Sequence, residues 1–377
     1  MPEPETLSSS SLATLRQCPF RYWLQYELLL RPAGEDAKPL RMGSAFHAGL
    51  EARDRGADES AAIARAVAGY AGPAPGDPYD WQIERETVRA LLAGHFWRYR
   101  DDTTVRVERA EVRFRMPLVN PETGRSSRTF VLVGKIDGLG TLAGRPVVVE
   151  RKTTGSSIEE GSDFWPRLRF DPQISQYVLA AQWLGENAWT IVYDVARKPT
   201  ISPLSVPILD GDGLKIVRDG QGRRVLTKQG KPRQTGSASA GWVLQTRPES
   251  PDEWRERLLA DIGERPDYYY ARREIPRLEG DLRAFQAELW QQAEHLRHCR
   301  GRGLWFRNVS QWNCRHCEYA GPCLSGVEID PDPQSPPPLG FRRSEHRHPE
   351  LEESRPYEQA ADETDHAAEQ AVVCAEA

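Results

Sequence analysis

The chain has 377 residues, 39% hydrophobic and 28% charged, with a formal net charge of −5. That is enough for one large domain with insertions or two smaller ones, and it carries no global basic signature for nucleic acid, so any such binding must come from local patches. Met1-Pro2-Glu3-Pro4-Glu5 is acidic with no apolar stretch behind it, and no run approaches the roughly 20 apolar residues of a membrane span. A cytoplasmic protein without a membrane partner is expected, and six cysteines are too few for a disulfide scaffold; clustered in a reducing compartment, they read as metal-binding or catalytic.

Ser8 to Leu30 predicts a helical segment with Ser N-caps and a stripe of Leu12, Leu15, Phe20, Trp23, Leu24 and Tyr26, broken into two short helices at Cys18-Pro19. Met42 to Glu51 predicts a helix that buries Phe46 and Leu50. A Gly/Pro loop from Tyr70 to Tyr79 leads to an amphipathic helix over Trp81 to Tyr99. Val105 to Leu118 alternates as a strand, and Asn120 to Ser127 is a turn.

Two apolar runs follow, Val133-Gly134-Lys135-Ile136-Asp137 and Val147-Val148-Val149-Glu150-Arg151-Lys152. On a strand, positions i and i+2 share a face, so Glu150 and Lys152 project together and Arg151 lies opposite. A turn over Gly138 to Pro146 brings Asp137 back beside Glu150. Two carboxylates and a lysine at the open end of a hairpin suit a hard divalent cation and a water oriented on it.

Asp171-Pro172 is an N-cap with proline at the first helical position, starting a helix to Leu184 that carries Gln173 and Tyr177 on one face. Ala188 to Val195 is a strand. Strand and helix alternating around the hairpin imply an α/β core with a mixed sheet. Residues 199–241 read as an inserted β-ribbon or loop, rich in Gly, Pro, Ser and Thr. Its middle holds Lys215, Arg218, Arg223, Arg224, Lys228, Lys231 and Arg233 against Asp219 alone, a charge excess suited to DNA phosphates. Leu278, Leu282, Phe285, Leu289 and Leu296 lay out a long helix towards Cys299. From Val327 to the end the chain is Pro-rich, then acidic with few apolar anchors, and a disordered tail is expected.

Cys314, Cys317 and Cys323 are spaced C-x2-C-x5-C, which points to a metal. A tetrahedral soft site wants a fourth ligand, and Cys18, Cys299, His316 and Cys374 are the available candidates. If Cys18 is the fourth, the metal ties the two ends of the globular region together. Spacing does not separate zinc from an iron–sulfur cluster, and a structural clasp is the expected role.

Together these motifs resemble the RecB-like branch of the PD-(D/E)xK nucleases, particularly the members with a four-Cys iron–sulfur cluster: the Cas4-like proteins, the AddB nuclease domain and the exonuclease V family. The matching residues are Cys18-Pro19, Gly43 to His47, Gly134-Lys135-Ile136-Asp137, Glu150-Arg151-Lys152, Gln173-x-x-x-Tyr177 and Cys314/Cys317/Cys323. The resemblance runs from about Ser8 to Cys323; Ile136 stands where the namesake proline would be. It implies a restriction-endonuclease-like core over residues 1–326, a central mixed sheet flanked by helices with its two ends joined by the four-Cys cluster. It further implies Mg²⁺ or Mn²⁺ bound by His47, Asp137 and Glu150, with the Arg151 carbonyl a further ligand. Lys152 would position the attacking water, Gln173 and Tyr177 would orient the site, and Cys18, Cys314, Cys317 and Cys323 would hold a [4Fe-4S] cluster. The implied activity is metal-dependent hydrolysis of DNA, by an exonuclease or flap nuclease on single strands in repair, recombination or phage replication. No Walker A loop is present, so any helicase or recombination partner is a separate protein. The alternative is a catalytically idle DNA-binding scaffold that keeps the fold.

Overall fold

The computed structural model describes residues 3–34, 38–74, 76–326, 329–332 and 334–351. Strand β1 (Glu5–Ser8) leads into helices α1 (Ser9–Gln17) and α2 (Pro19–Tyr22), a π-helical turn (Trp23–Glu27) and β2 (Leu30–Pro32). Three helices follow, α3 (Lys38–Asp54), α4 (Glu59–Val67) and α5 (Pro78–Arg98), then the long strands β3 (Val105–Val119), β4 (Ser126–Leu142) and β5 (Arg145–Thr154). After α6 (Phe164–Leu168) and α7 (Pro172–Trp183) comes β6 (Thr190–Arg197). The insertion contributes β7 (Ser205–Pro207), β8 (Val217–Arg218), β9 (Val243–Leu244) and β10 (Thr246–Pro248). The rest is α8 (Pro251–Glu264), α9 (Pro266–Tyr269), β11 (Tyr270–Pro276), α10 (Glu279–Arg302), α11 (Gln311–Arg315), α12 (Ala320–Leu324) and β12 (Phe341–Arg343).

Local sequence accounts for the element ends. The Ser8 and Ser11 side chains cap each other's backbone N–H groups at the start of α1, a reciprocal box that offsets two orphan donors. Asp171 accepts from the Gln173 N–H at 2.8 Å, and Pro172 opens α7 as expected. The hairpin differs from its expected form. β4 and β5 stay paired as far as Leu142 and Arg145, so the turn is Ala143-Gly144 rather than 138–146. Both residues have positive φ, 48° and 81°, the left-handed geometry whose twist matches the flanking strands.

A six-stranded mixed sheet carries the fold, in the order β1-β4-β5-β6-β11 with β3 along the other edge of β4. β1 runs parallel to β4 and β5 parallel to β6, while β3–β4, β4–β5 and β6–β11 are antiparallel. Helices cover both faces, giving the mixed α/β architecture expected. On one face Leu12, Leu15, Val148, Ala180, Tyr193, Phe285 and Leu289 share a core. On the other, α3, α4, α5 and α8 bury Phe46, Leu50, Leu91, Phe96, Trp254 and Leu258, while Val147 and Val149 pack with Val192. The run Val147 to Val149 is therefore buried on both sides, as an interior strand requires.

The insertion is a ribbon of short antiparallel pairs, β7 with β10 and β8 with β9. Part of its positive charge is matched internally, Arg223 by Asp219 at 3.0 Å and Arg224 by Asp210. Order continues beyond Val327: Phe341–Arg343 pairs antiparallel with Leu30–Pro32, and Arg343 donates to the Leu28 carbonyl at 2.8 Å. The composition there hid a strand because a three-residue element leaves no periodicity to read. Residues 352–377 of the expected tail, Cys374 included, lie outside the described residues.

Candidate active site

The site is a fork in the sheet. β4 and β5 pair through Gly138 and Val149 and then part. β5 continues beside β6 as far as Thr154, whereas the partner of β4 beyond the fork is β1, from Val133 back to Phe130. Strand parting leaves backbone donors without a ladder partner, which is costly when buried. Asp137 meets that need: its Oδ2 accepts the Arg151 N–H at 2.8 Å. Glu150 and Lys152 project to the same side, with Nζ 2.6 Å from Glu150 Oε1. The Arg151 side chain goes to the opposite face, where it meets Asp54 of α3 at 2.5 Å.

The electrostatics of the fork are those of carboxylates crowded away from water. Glu150 is 1% exposed, and its Oε2 is buried with no hydrogen-bond partner among the described residues. Burial, and then the charge of Asp137, push its pKa up to about 8 despite the pull of Lys152. Burial alone would lower Lys152, but Glu150 and Asp137 outweigh it and hold the ammonium above its ordinary value. His47 of α3 stands with Nδ1 3.5 Å from Asp137 Oδ2. Burial lowers its pKa against the attraction of Asp137, which favours a neutral imidazole with a free lone pair.

The other expected residues gather here as well. Gln173 Nε2 donates to the Tyr177 hydroxyl at 2.8 Å. Burial raises the Tyr177 pKa and Glu150 adds to it, so the phenol stays protonated. Gly43 lets α3 approach β5: a Cβ there would lie 3.3 Å from Thr153 Oγ1. Among the described residues no three His, Cys, Asp or Glu side chains form a ready metal-ligand set. The chemistry of the donors nonetheless fits a hard divalent cation, because two carboxylates and an imidazole converge and one carboxylate oxygen is orphaned.

Sequence reasoning missed two members of this neighbourhood, Glu111 and Asp54. Glu111 of β3 ion-pairs with Lys135 and feels the charge of Asp137; its φ of 54° is left-handed for a non-glycine residue. No pattern in β3 marks it, since a strained backbone angle is invisible in sequence. Lys135 itself was legible only as part of the Gly-Lys-Ile-Asp run. Asp54, which neutralises Arg151 from behind, sits two helical turns past His47, a spacing that could have been noticed.

Away from the fork residues, Cys18, Cys314, Cys317 and Cys323 line one cavity of about 70 Å³ together with Phe20 and Leu24. Cys299 is buried elsewhere, with Sγ 3.6 Å from His295 Nε2. The four cavity cysteines are half-buried free thiols. Burial pushes the Cys317 thiol up. The chain ends that supply them are laced by an Arg21–Glu318 ion pair at 2.8 Å and by the Phe20 N–H to the Phe306 carbonyl at 3.1 Å. Four soft donors around a small apolar cavity fit zinc or a cluster in chemistry.

A family model of the PD-(D/E)XK nuclease superfamily matches residues 6–324. The chain belongs to that superfamily, so it is related to nucleases whose substrate is DNA. Among solved structures, the crystal structure of SSO0001 aligns over 85% of this chain and 87% of its own, at 12% identity and a TM-score of 0.32. No curated protein matches the sequence. Among the described residues, no helix is long and apolar enough to cross a membrane.

Proposed function

We propose that the chain is a divalent-metal-dependent deoxyribonuclease that hydrolyses phosphodiester bonds on single strands, at ends or flaps. The observation that carries this reading is the fork: Asp137, Glu150 and Lys152 meet where the sheet opens, and the Glu150 carboxylate has an unpartnered buried oxygen. Asp137, Glu150 and His47 would hold Mg²⁺ or Mn²⁺. In an extended strand a residue's N–H and C=O point to the same edge, so the Arg151 carbonyl faces the fork with the N–H that Asp137 accepts. The imidazole makes Mn²⁺ the better fit. When bound, the cation supplies Lewis-acid activation of water and neutralises charge on the phosphate.

The protein's own groups do the rest. Lys152, held protonated, sets a fixed positive charge where negative charge develops on the phosphate. Asp137 also fixes the Arg151 backbone, so the mouth of the fork keeps its width. Tyr177, kept protonated, is a hydrogen-bond donor towards the site, with its orientation set by Gln173. The four cavity cysteines would hold a [4Fe-4S] cluster, or zinc as the alternative, clasping the chain ends in the manner of the RecB-like, Cas4-like branch. Unwinding would come from a separate helicase or recombination protein.

The test is cleavage of 5′- and 3′-labelled single strands by the purified, cluster-loaded protein with Mg²⁺ or Mn²⁺. Cleavage that disappears in Asp137→Ala supports the reading; no cleavage by the wild-type protein sinks it in favour of an idle scaffold.

A further inference from the structure

Directly before the α7 cap, the chain displays a ring that nothing in the fold uses. Phe170 is 80% exposed, and the Arg169 guanidinium lies 5.6 Å from its ring centroid. A scattered surface phenylalanine needs no explanation, but this one sits on a tightly built turn. The Phe170 N–H bonds the Arg167 carbonyl and the Asp171 N–H the Leu168 carbonyl, each at 3.2 Å. Arg277, only 2% exposed, clamps the turn from beneath: Nη2 reaches the Leu168 and Asp171 carbonyls at 2.8 and 3.1 Å, and Nε the Ser175 hydroxyl at 2.8 Å. Leu168 is buried below it.

The turn leads directly into the helix beside the fork. Asp171 caps the helix that carries Gln173 and Tyr177, and its charge acts on Glu150. Arg167 and Arg169, both exposed, make the same turn electropositive, while its acidic residue, Asp171, is committed to the helix cap. An exposed aromatic on a fixed backbone turn, flanked by guanidinium groups beside the proposed hydrolytic site, suits an unpaired nucleobase. The ring offers a stacking face, the guanidiniums take the adjacent phosphates, and a rigid mount costs little ordering on binding.

We propose that Phe170 is the stacking platform that seats an unpaired base next to the scissile phosphate and makes the site select single strands. This rests on the nuclease reading. The direct test titrates full-length protein, in EDTA, into a single-stranded DNA carrying 2-aminopurine, and into the matching duplex. Wild-type protein should perturb the 2-aminopurine fluorescence. Phe170→Ala should weaken single-strand binding by about tenfold or more, Phe170→Trp should restore it, and duplex affinity should not move. With Mn²⁺, Phe170→Ala should raise KM on single strands at little cost to kcat. If the wild-type protein cleaves DNA but Phe170→Ala binds and cleaves single strands like wild type, the platform is wrong, the nuclease reading stands, and the ring belongs to a protein contact. If the wild-type protein cleaves no DNA under any condition, the nuclease reading fails first.

Discussion

Replacing Glu150 with Gln probes the frustration at the fork. In the metal-free protein Glu150 holds its proton up to about pH 8, against an ordinary value of 4.5. The folded state therefore binds more protons than the unfolded one between these values, and stability from this group falls as pH rises through that window. At about 1.4 kcal/mol per pKa unit the full penalty near pH 7.5 is about 4 kcal/mol, and because the ion pair with Lys152 returns part of it we take about half, ~2 kcal/mol. Gln keeps the shape and an acceptor for Lys152 but carries no charge. Denaturant unfolding in EDTA at pH 5 and 7.5 should then show the variant close to wild type at pH 5 and about 2 kcal/mol more stable at pH 7.5. Mn²⁺ should stabilise wild type strongly at pH 7.5 and the variant weakly. A variant less stable than wild type at pH 7.5 in EDTA would mean that the Glu150 charge is stabilising without a cation, and that the fork is not frustrated.

Two further outcomes follow from the packing. Asp54→Ala leaves the Arg151 guanidinium buried without its closest carboxylate, and denaturant midpoints should report a loss of about 3 kcal/mol; Asp54→Leu with Arg151→Met should recover most of it, and full stability in the single variant would show that Asp194 of β6, whose charge also acts on Arg151, suffices. Cys314→Ser should abolish bound iron or zinc, read by metal analysis and by absorbance near 400 nm for a cluster, and should lower the melting temperature; a variant with unchanged metal content would remove Cys314 from the ligand set.

Much of the site was legible because its chemistry is local. Glu150, Lys152 and Arg151 follow from strand alternation, and Gln173 and Tyr177 from the spacing of a helix whose cap is written in Asp171-Pro172. The meeting of His47 with Asp137, which lie 90 positions apart in the chain, was reached through resemblance alone, since no pattern of period two or 3.6 encodes a long-range contact. The fork itself was invisible. It depends on β1, a four-residue strand too short to show alternation, which takes the place of β5 alongside β4. Glu111 escaped because its position rests on a left-handed backbone angle, and β12 because three residues are too short to show alternation. The long antiparallel stretch of β4 and β5 was shortened in the reading because Gly138 and Gly140 resemble turn residues, although both pair within the sheet.

Whether the fork is a hydrolytic centre built on Asp137, Glu150 and Lys152 is decided by end-labelled single-strand cleavage with wild type, Asp137→Ala and Lys152→Ala compared at equal fold and equal metal content. Wild type should give Mn²⁺- or Mg²⁺-dependent products, Asp137→Ala none, and Lys152→Ala a rate reduced by about 10²-fold or more. Cleavage of the same strength in all three proteins would show that the fork is not that centre.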